Sequence, residues 1–198
     1  MNNKRLRIYL TGVGGQGTLT ATTLLARTVL DQGLDVVSGE IHGMAQRGGV
    51  VESSVLIGGW QSPSIYFGEA DVVLGFEPLE TLRALPYLAP GGIVLSATEF
   101  VPPPSVNMGQ ASLPDIEEIK RQISSAAGRA WFIPIASLGK QAGAIQSGNT
   151  AMLGALCATG VLPFGVDALK NGIRKYLPPK VVDTNLRAVD LGVEAMSQ

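Results

Sequence analysis

The sequence predicts an α/β fold of three layers, α/β/α, with helices on both faces of a mostly parallel, Rossmann-like sheet. Three observations carry this. Strand-like and helix-like segments alternate along the chain, the pattern that buries a parallel sheet between helices. Two strand candidates, 70–76 (ADVVLGF) and 92–97 (GIVLSA), are continuous apolar runs, as strands covered on both faces require. The first strand also runs into Gly12-Val-Gly-Gly-Gln-Gly17, glycine spacing that turns a strand into a helix beside an anion.

Taken in order, 6–11 reads as the first strand. Residues 15–32 read as a helix, with Ala21, Leu25 and Val29 at four-residue spacing. Residues 35–40, 50–57 and 70–76 read as strands, 78–88 as a helix and 92–97 as a strand. Ser112-Leu-Pro-Asp115 has the form of a capping box, opening a helix with Ile116, Ile119, Ile123 and Ala126 in one stripe and Gly128 at its end. A strand at 131–135 and helices at 138–144, 149–159, 166–176 and 182–196 complete the chain. No internal repeat or linker divides it, so 1–198 reads as one domain, with the Pro- and Gly-rich stretch 99–111 as an excursion. The 26 residues 141–166 contain no charge, but Gln141, Gln146, Asn149, Thr150 and Pro163 interrupt them, so a buried helix is predicted and no membrane span. Gly148, Ala151, Gly154, Ala155 and Ala158 would let another backbone approach that helix closely.

Composition narrows the chemistry. Charged residues make up 16% of the chain, below the roughly 25% usual for soluble domains, so part of the surface is expected to be covered by a partner. A net charge of −1 gives no footprint for nucleic acid or anionic lipid. The basic start MNNKRLRIYL runs straight into strand sequence without an export signal, so a cytoplasmic location is expected. One cysteine, Cys157, and one histidine, His42, supply too few ligands for an iron–sulfur cluster or a zinc site. Cys157, within Ala-Leu-Cys-Ala, reads as a small buried hydrophobe.

Two loops hold the candidate site residues. The first is Gly12 with Gly14, Gly15, Gln16, Gly17 and Thr18, followed at the end of the second strand by Glu40, where a dinucleotide site would want a ribose partner. On this pattern an independent NAD- or FAD-binding oxidoreductase stays open, although Gln16 puts a bulky amide where a pyrophosphate should lie. The second is 41–49, in which His42, Gln46, Arg47 and Gly48 stand on glycine-rich backbone and Arg47 could fork onto a phosphate or carboxylate.

GVGGQG at 12–17, EIHGMAQRGG at 40–49, ADVVLGFEPLETLR at 70–83 and SGNTAMLGAL at 147–156, which contains Asn149, resemble the gamma-type subunits of the 2-oxoacid:ferredoxin oxidoreductases, and among them the small subunit of the indolepyruvate branch. The resemblance covers nearly the whole chain. It implies an assembly that decarboxylates a 2-oxoacid on thiamine diphosphate, passes electrons through iron–sulfur clusters to ferredoxin and makes acyl-CoA. The thiamine signature is absent here and the cysteines are too few, so those cofactors are expected on a larger alpha subunit. This chain is expected to bind none alone, to form a homodimer by itself and to gain its role in the complex. The loops carrying Gly12–Thr18 and His42–Gly48, with Asn149, are then expected to face that partner or coenzyme A. A pure scaffold role, or another 2-oxoacid, remains the alternative.

Overall fold

A computed structural model of the protein describes residues 5–42, 49–102, 104–110 and 112–197. β1 (Leu6–Val13) leads through a glycine turn to α1 (Thr18–Asp31), and β2 (Val36–His42) and β3 (Val50–Ile57) follow. Then come β4 (Ala70–Gly75), α2 (Pro78–Ala84), β5 (Leu88–Ala97), the single-turn α3 (Pro104–Asn107), α4 (Ile116–Ala126) and β6 (Arg129–Ile133). Four helices close the chain: α5 (Ile135–Ala142), α6 (Gly148–Ala158), α7 (Val166–Tyr176) and α8 (Pro179–Ala195).

The strands form one sheet in the order β2-β3-β1-β4-β5-β6. β1, β4, β5 and β6 are parallel neighbours, while β3 runs antiparallel between β1 and β2. β2 therefore points the same way as β1, and the sheet is mostly parallel, as expected. The antiparallel β3 was not expected. A period-two pattern reports which face a side chain occupies and is silent about strand direction.

Strand alternation divides the core. Leu6, Ile8 and Leu10 of β1, with Val72, Leu74, Ile93 and Leu95, pack against α1, α6, α7 and α8. Tyr9, Val73 and Val94 point the other way, towards Ile119 and Ile123 of α4 and Ala84 of α2. Each fully buried Leu or Ile contributes about 1.5–3 kcal/mol, so the larger layer supplies most of the burial. On the second face α2 and α4 stand over β1, β4, β5 and β6; among the described residues only the 58–69 loop stands in front of β2 and β3.

Several element ends differ from the sequence reading for local reasons. The 78–88 helix stops at Ala84 and tightens into a 3-10 turn over Leu85–Tyr87, because Pro86 has no amide hydrogen to donate to the Leu82 carbonyl and so cannot continue the α-helical ladder. The cap of α4 is Asp115 itself, accepting from the Glu117 amide at 3.0 Å, and not Ser112. Gly128 is no left-handed helix end. An added Cβ there would press on the Gly91 carbonyl, so its role is close packing. β5 starts at Leu88, ahead of the apolar run, and crosses an irregularity between its Ala70 and Val72 partners.

The uncharged helix is buried, as expected: every residue of α6 from Gly148 to Cys157 is buried, with Asn149 and Cys157 keeping a few per cent of exposure. The backbone its small residues admit is α8 of the same chain. A Cβ at Gly154 would strike the Val189 carbonyl, and one at Gly192 the Ala151 carbonyl. The Thr150 hydroxyl donates to Asn185 Oδ1 across the contact at 2.8 Å. The small-residue face is thus used inside the chain and is not open for a homodimer. Among the described residues no helix is long and apolar enough to cross a membrane.

Candidate functional site

β1 is followed by α1 on one face and its neighbour β4 by α2 on the other. The crevice outside their carboxyl ends is the place where open α/β sheets bind ligands. The glycine loop lies there. Gly15 and Gly17 have φ of 97° and 78°, left-handed values that glycine adopts without strain. At Gly12 a Cβ would meet Thr18 Oγ1 at 2.8 Å, Gln16 Oε1 at 2.9 Å and Phe76 Cβ at 3.0 Å, so only glycine fits.

Gln16 fills the crevice. Its Nε2 donates to the Phe76 carbonyl at 2.7 Å and its Oε1 accepts from the Val13 amide at 2.9 Å, tying the loop to the end of β4. Asn149, at the start of α6, packs on Gly17, and its Nδ2 donates to the Gly17 carbonyl at 3.2 Å. The Gly14 amide donates to the Gly49 carbonyl at 2.9 Å, which ties the loop to the entry of β3. Gly12, Gly14, Gly15, Gln16, Gly17, Thr18 and Asn149 are therefore one assembled unit. His42 ends β2, whereas Gln46, Arg47 and Gly48 lie outside the described residues.

Two other helix starts at this end of the sheet, those of α2 and α5, are filled by carboxylates that the sequence reading missed. Glu77 caps α2, accepting from Leu79 at 2.7 Å and Glu80 at 3.1 Å, and it also receives the Val101 amide at 3.4 Å. Burial pushes its carboxyl above the ordinary range against these amides, which pull it down. An acid directly before Pro78 at the first helical position was the legible sign. Glu99 reaches the start of α5, accepting from Ala136 at 2.6 Å and Ser137 at 3.0 Å, and no local pattern announces a cap 37 residues away. Like α6 and α8, α1 starts without one. Its cap is Gly17, no side chain closes it, and its first turn has no acidic residue.

Beside the bare start of α1 is a cleft of about 920 Å³ between the glycine loop, the approach to α6 and the start of α8. Lys180, Asn185, Ser147 and Asn149 line it. Thr18 Oγ1, buried beside the loop, has no hydrogen-bond partner among the described residues. A second cleft of about 340 Å³ opens on the α5 side of the loop, against Phe100, Val101 and Ile145. Dipole, free amides and a lysine make the first cleft suited to an anion. Cys157 belongs to neither; its thiol is buried in the core and pushed up to about 12 by that burial. Among the described residues no three His, Cys, Asp or Glu side chains come together within reach of one ion.

Glu40 has moved from where a dinucleotide site wants it. β3 lies between β1 and β2, so β2 stands one strand spacing, about 4.8 Å, further out. Glu40 pairs in register with Ser53, whose hydroxyl meets Thr22 of α1 at 2.6 Å, and it flanks a recess beside Arg27 and Tyr176.

The family model for pyruvate ferredoxin/flavodoxin oxidoreductase matches residues 7–195. The indolepyruvate oxidoreductase subunit IorB of Pyrococcus horikoshii is 42% identical over 200 residues, covering 98% of either chain. The solved pyruvate oxidoreductase subunit PORC of Thermotoga maritima superimposes with a TM-score of 0.70 at 25% identity, covering 96% of each chain. In the 2-oxoglutarate:ferredoxin oxidoreductase of Magnetococcus marinus, solved with 2-oxoglutarate, coenzyme A and succinyl-CoA, the same fold recurs with a TM-score of 0.72 at 21% identity. It covers 98% of this chain and 31% of that one. With nearly every residue from β1 to the end of α8 inside one family match, the chain belongs to the pyruvate ferredoxin/flavodoxin oxidoreductase family.

Proposed function

We propose that the chain is the small subunit of a 2-oxoacid:ferredoxin oxidoreductase of the arylpyruvate, indolepyruvate-using kind, which makes acyl-CoA and CO2. The observation that carries this is the end-to-end agreement, at 42% identity, with an indolepyruvate oxidoreductase subunit. Thiamine diphosphate and iron–sulfur clusters, held by a larger partner, would supply the electron sink and the path to ferredoxin. This chain's residues do not fit an iron–sulfur cluster, because its single thiol is buried in the core.

The cleft at the start of α1 fits a different part of the reaction. Uncapped amides, the orphaned Thr18 hydroxyl and Lys180 suit a phosphate such as those of coenzyme A. In this reading Gln16 and Asn149 hold the loop still and α1 presents its amides, so that the subunit helps to seat coenzyme A beside the partner. The displacement of Glu40 by one strand counts against the alternative of a stand-alone NAD or FAD enzyme.

The test is to assay this chain, the large subunit and their anaerobic mixture with indolepyruvate, phenylpyruvate, pyruvate and 2-oxoglutarate, following coenzyme A-dependent dye or ferredoxin reduction. Activity is expected only in the mixture and best with the aryl substrates. Turnover by this chain alone would overturn the reading, and a preference for pyruvate or 2-oxoglutarate would change the substrate branch. Lys180→Ala should raise the KM for coenzyme A by about 10-fold, as loss of one charged hydrogen bond implies, with kcat little changed.

A further inference from the structure

On the face of the sheet opposite α1, no helix among the described residues covers β2 and β3. A recess of about 440 Å³ lies there between β1, β3 and the 58–69 loop, within the size range of specific binding sites. Its walls are aromatic. Tyr9 and Tyr87 stack with centroids 4.4 Å apart and 16° between planes, and Phe67 leans on Tyr87 at 4.9 Å. The floor is polar. Glu52 lies two residues along β3 from Ser54, the register partner of Tyr9, and so shares its face.

Two features of this recess lack a matching polar partner among the described residues. Glu52 has no cationic partner among the described residues. The Tyr9 hydroxyl is buried and closes no hydrogen bond of ordinary geometry among the described residues; burial, and then Glu52 beside it, hold its proton on well above the usual range. Tyr9 therefore brings no charge to answer the carboxylate.

The rim is built to be rigid while it exposes apolar surface. Tyr66 is 72% and Phe67 74% exposed, at the apex of a turn closed by the Glu69 amide on the Tyr66 carbonyl at 3.2 Å. The Glu69 carboxylate accepts the Tyr66 amide in return at 3.1 Å, and Gly68 takes φ 77°. The Gly68 amide is bound to the Pro86 carbonyl at 2.9 Å. At the other end Ser54 Oγ donates to the Pro63 carbonyl at 2.6 Å, and Pro63 sits so close over Gly39 that a Cβ there would touch it at 2.7 Å. Two large aromatics held outward on a pinned turn are the usual anchors of a protein–protein contact.

We propose that this recess receives an arginine or lysine side chain of a partner chain, its cation lying between the aromatic rings and Glu52 while the partner's surface covers Tyr66 and Phe67. Aromatic faces with a carboxylate at the base are the surroundings a guanidinium prefers. A small molecule filling the recess would leave the outward faces of Tyr66 and Phe67 in water, which is why a chain is the occupant. The inference rests on the subunit reading in needing a second chain, and it places that chain on the β2–β3 side of the sheet.

The experiment measures binding of the full chain to the large subunit at low and high salt, for the wild type, Glu52→Gln, the double variant Tyr66→Ser/Phe67→Ser, and Leu30→Ser as a control on another exposed apolar residue. Folding of each is checked by thermal unfolding. Glu52→Gln should weaken binding about 10-fold and reduce its salt dependence, and the double variant should weaken it about 100-fold, as loss of an interfacial charge and of aromatic anchors implies. Benzamidinium chloride should compete with complex formation and its neutral counterpart benzamide should not. A complex that forms normally with both variants overturns this inference and leaves the subunit reading standing. A homodimer that depends on Tyr66 and Phe67 but not on Glu52 reassigns the face to self-association and also overturns it. A wild type that binds no large subunit removes both readings.

Discussion

At Glu77 burial and hydrogen bonding act in opposite directions. Burial is the larger effect and raises its carboxyl above 4.5, while the amides of Glu80, Leu79 and Val101 pull it down. Glu80, buried beside it, is also raised, with Arg83 opposing. A raised folded value means that the native state holds the proton more tightly. The resulting stability is fully present below the unfolded value near 4.5 and is lost as pH rises through the folded one. Urea unfolding at a series of pH values should therefore show a smaller decline over that window in Glu77→Gln than in the wild type. Glu77→Ala, which removes the cap of α2, should lower stability by about 1–2 kcal/mol near neutral pH. How far single residues were legible depended on the distance of their partners. The glycines of 12–17 and the burial of Cys157 could be read from a few neighbours. The inward turn of Gln16 could not, because the carbonyl it seeks is 60 residues away on Phe76.

At the scale of elements, α6 and α8 show what the uncharged stretch is for. The helices meet backbone to backbone at Gly154 and Gly192, a contact that a single methyl group would wedge apart. Gly192→Ala should destabilise the protein by about 1–3 kcal/mol, as overpacking of a tight core does. Gly165→Ala, where the added Cβ meets nothing and φ is −97°, should cost much less in the same thermal or urea unfolding series. Strong helical periodicity gave α4 and α7 almost residue for residue, since their stripes of buried residues are local facts. The small-residue face of α6 was equally visible, but sequence cannot say whether the backbone that fills it belongs to the same chain. Element ends slipped where one residue decided the matter, as Pro86 did at the end of α2 and Asp115 at the start of α4.

The three-layer architecture was legible because alternation and apolar runs follow from burial alone, yet the order of strands was not. Nothing local marks β3 as the strand that returns between β1 and β2, and that one choice moves Glu40 away from the glycine loop. The same choice has a consequence in time. β1 is made first, but both strands that flank it, β3 and β4, are made later, so a ribosome releases it with no hydrogen-bonding partner on either side. The β2–β3 hairpin can close locally, and until β1 joins it β3 presents an open edge, the kind of template on which nascent chains associate. Ribosome-bound chains that end shortly after Ile57 should accordingly be cleaved readily by protease within residues 6–13. Chains whose exposed portion extends past Gly75, with β1 flanked on both sides, should protect that segment by about 10-fold, once local opening costs more than about 1.4 kcal/mol. Stalled-chain proteolysis read at those two lengths would show whether the first strand made is also the strand that waits longest for its neighbours.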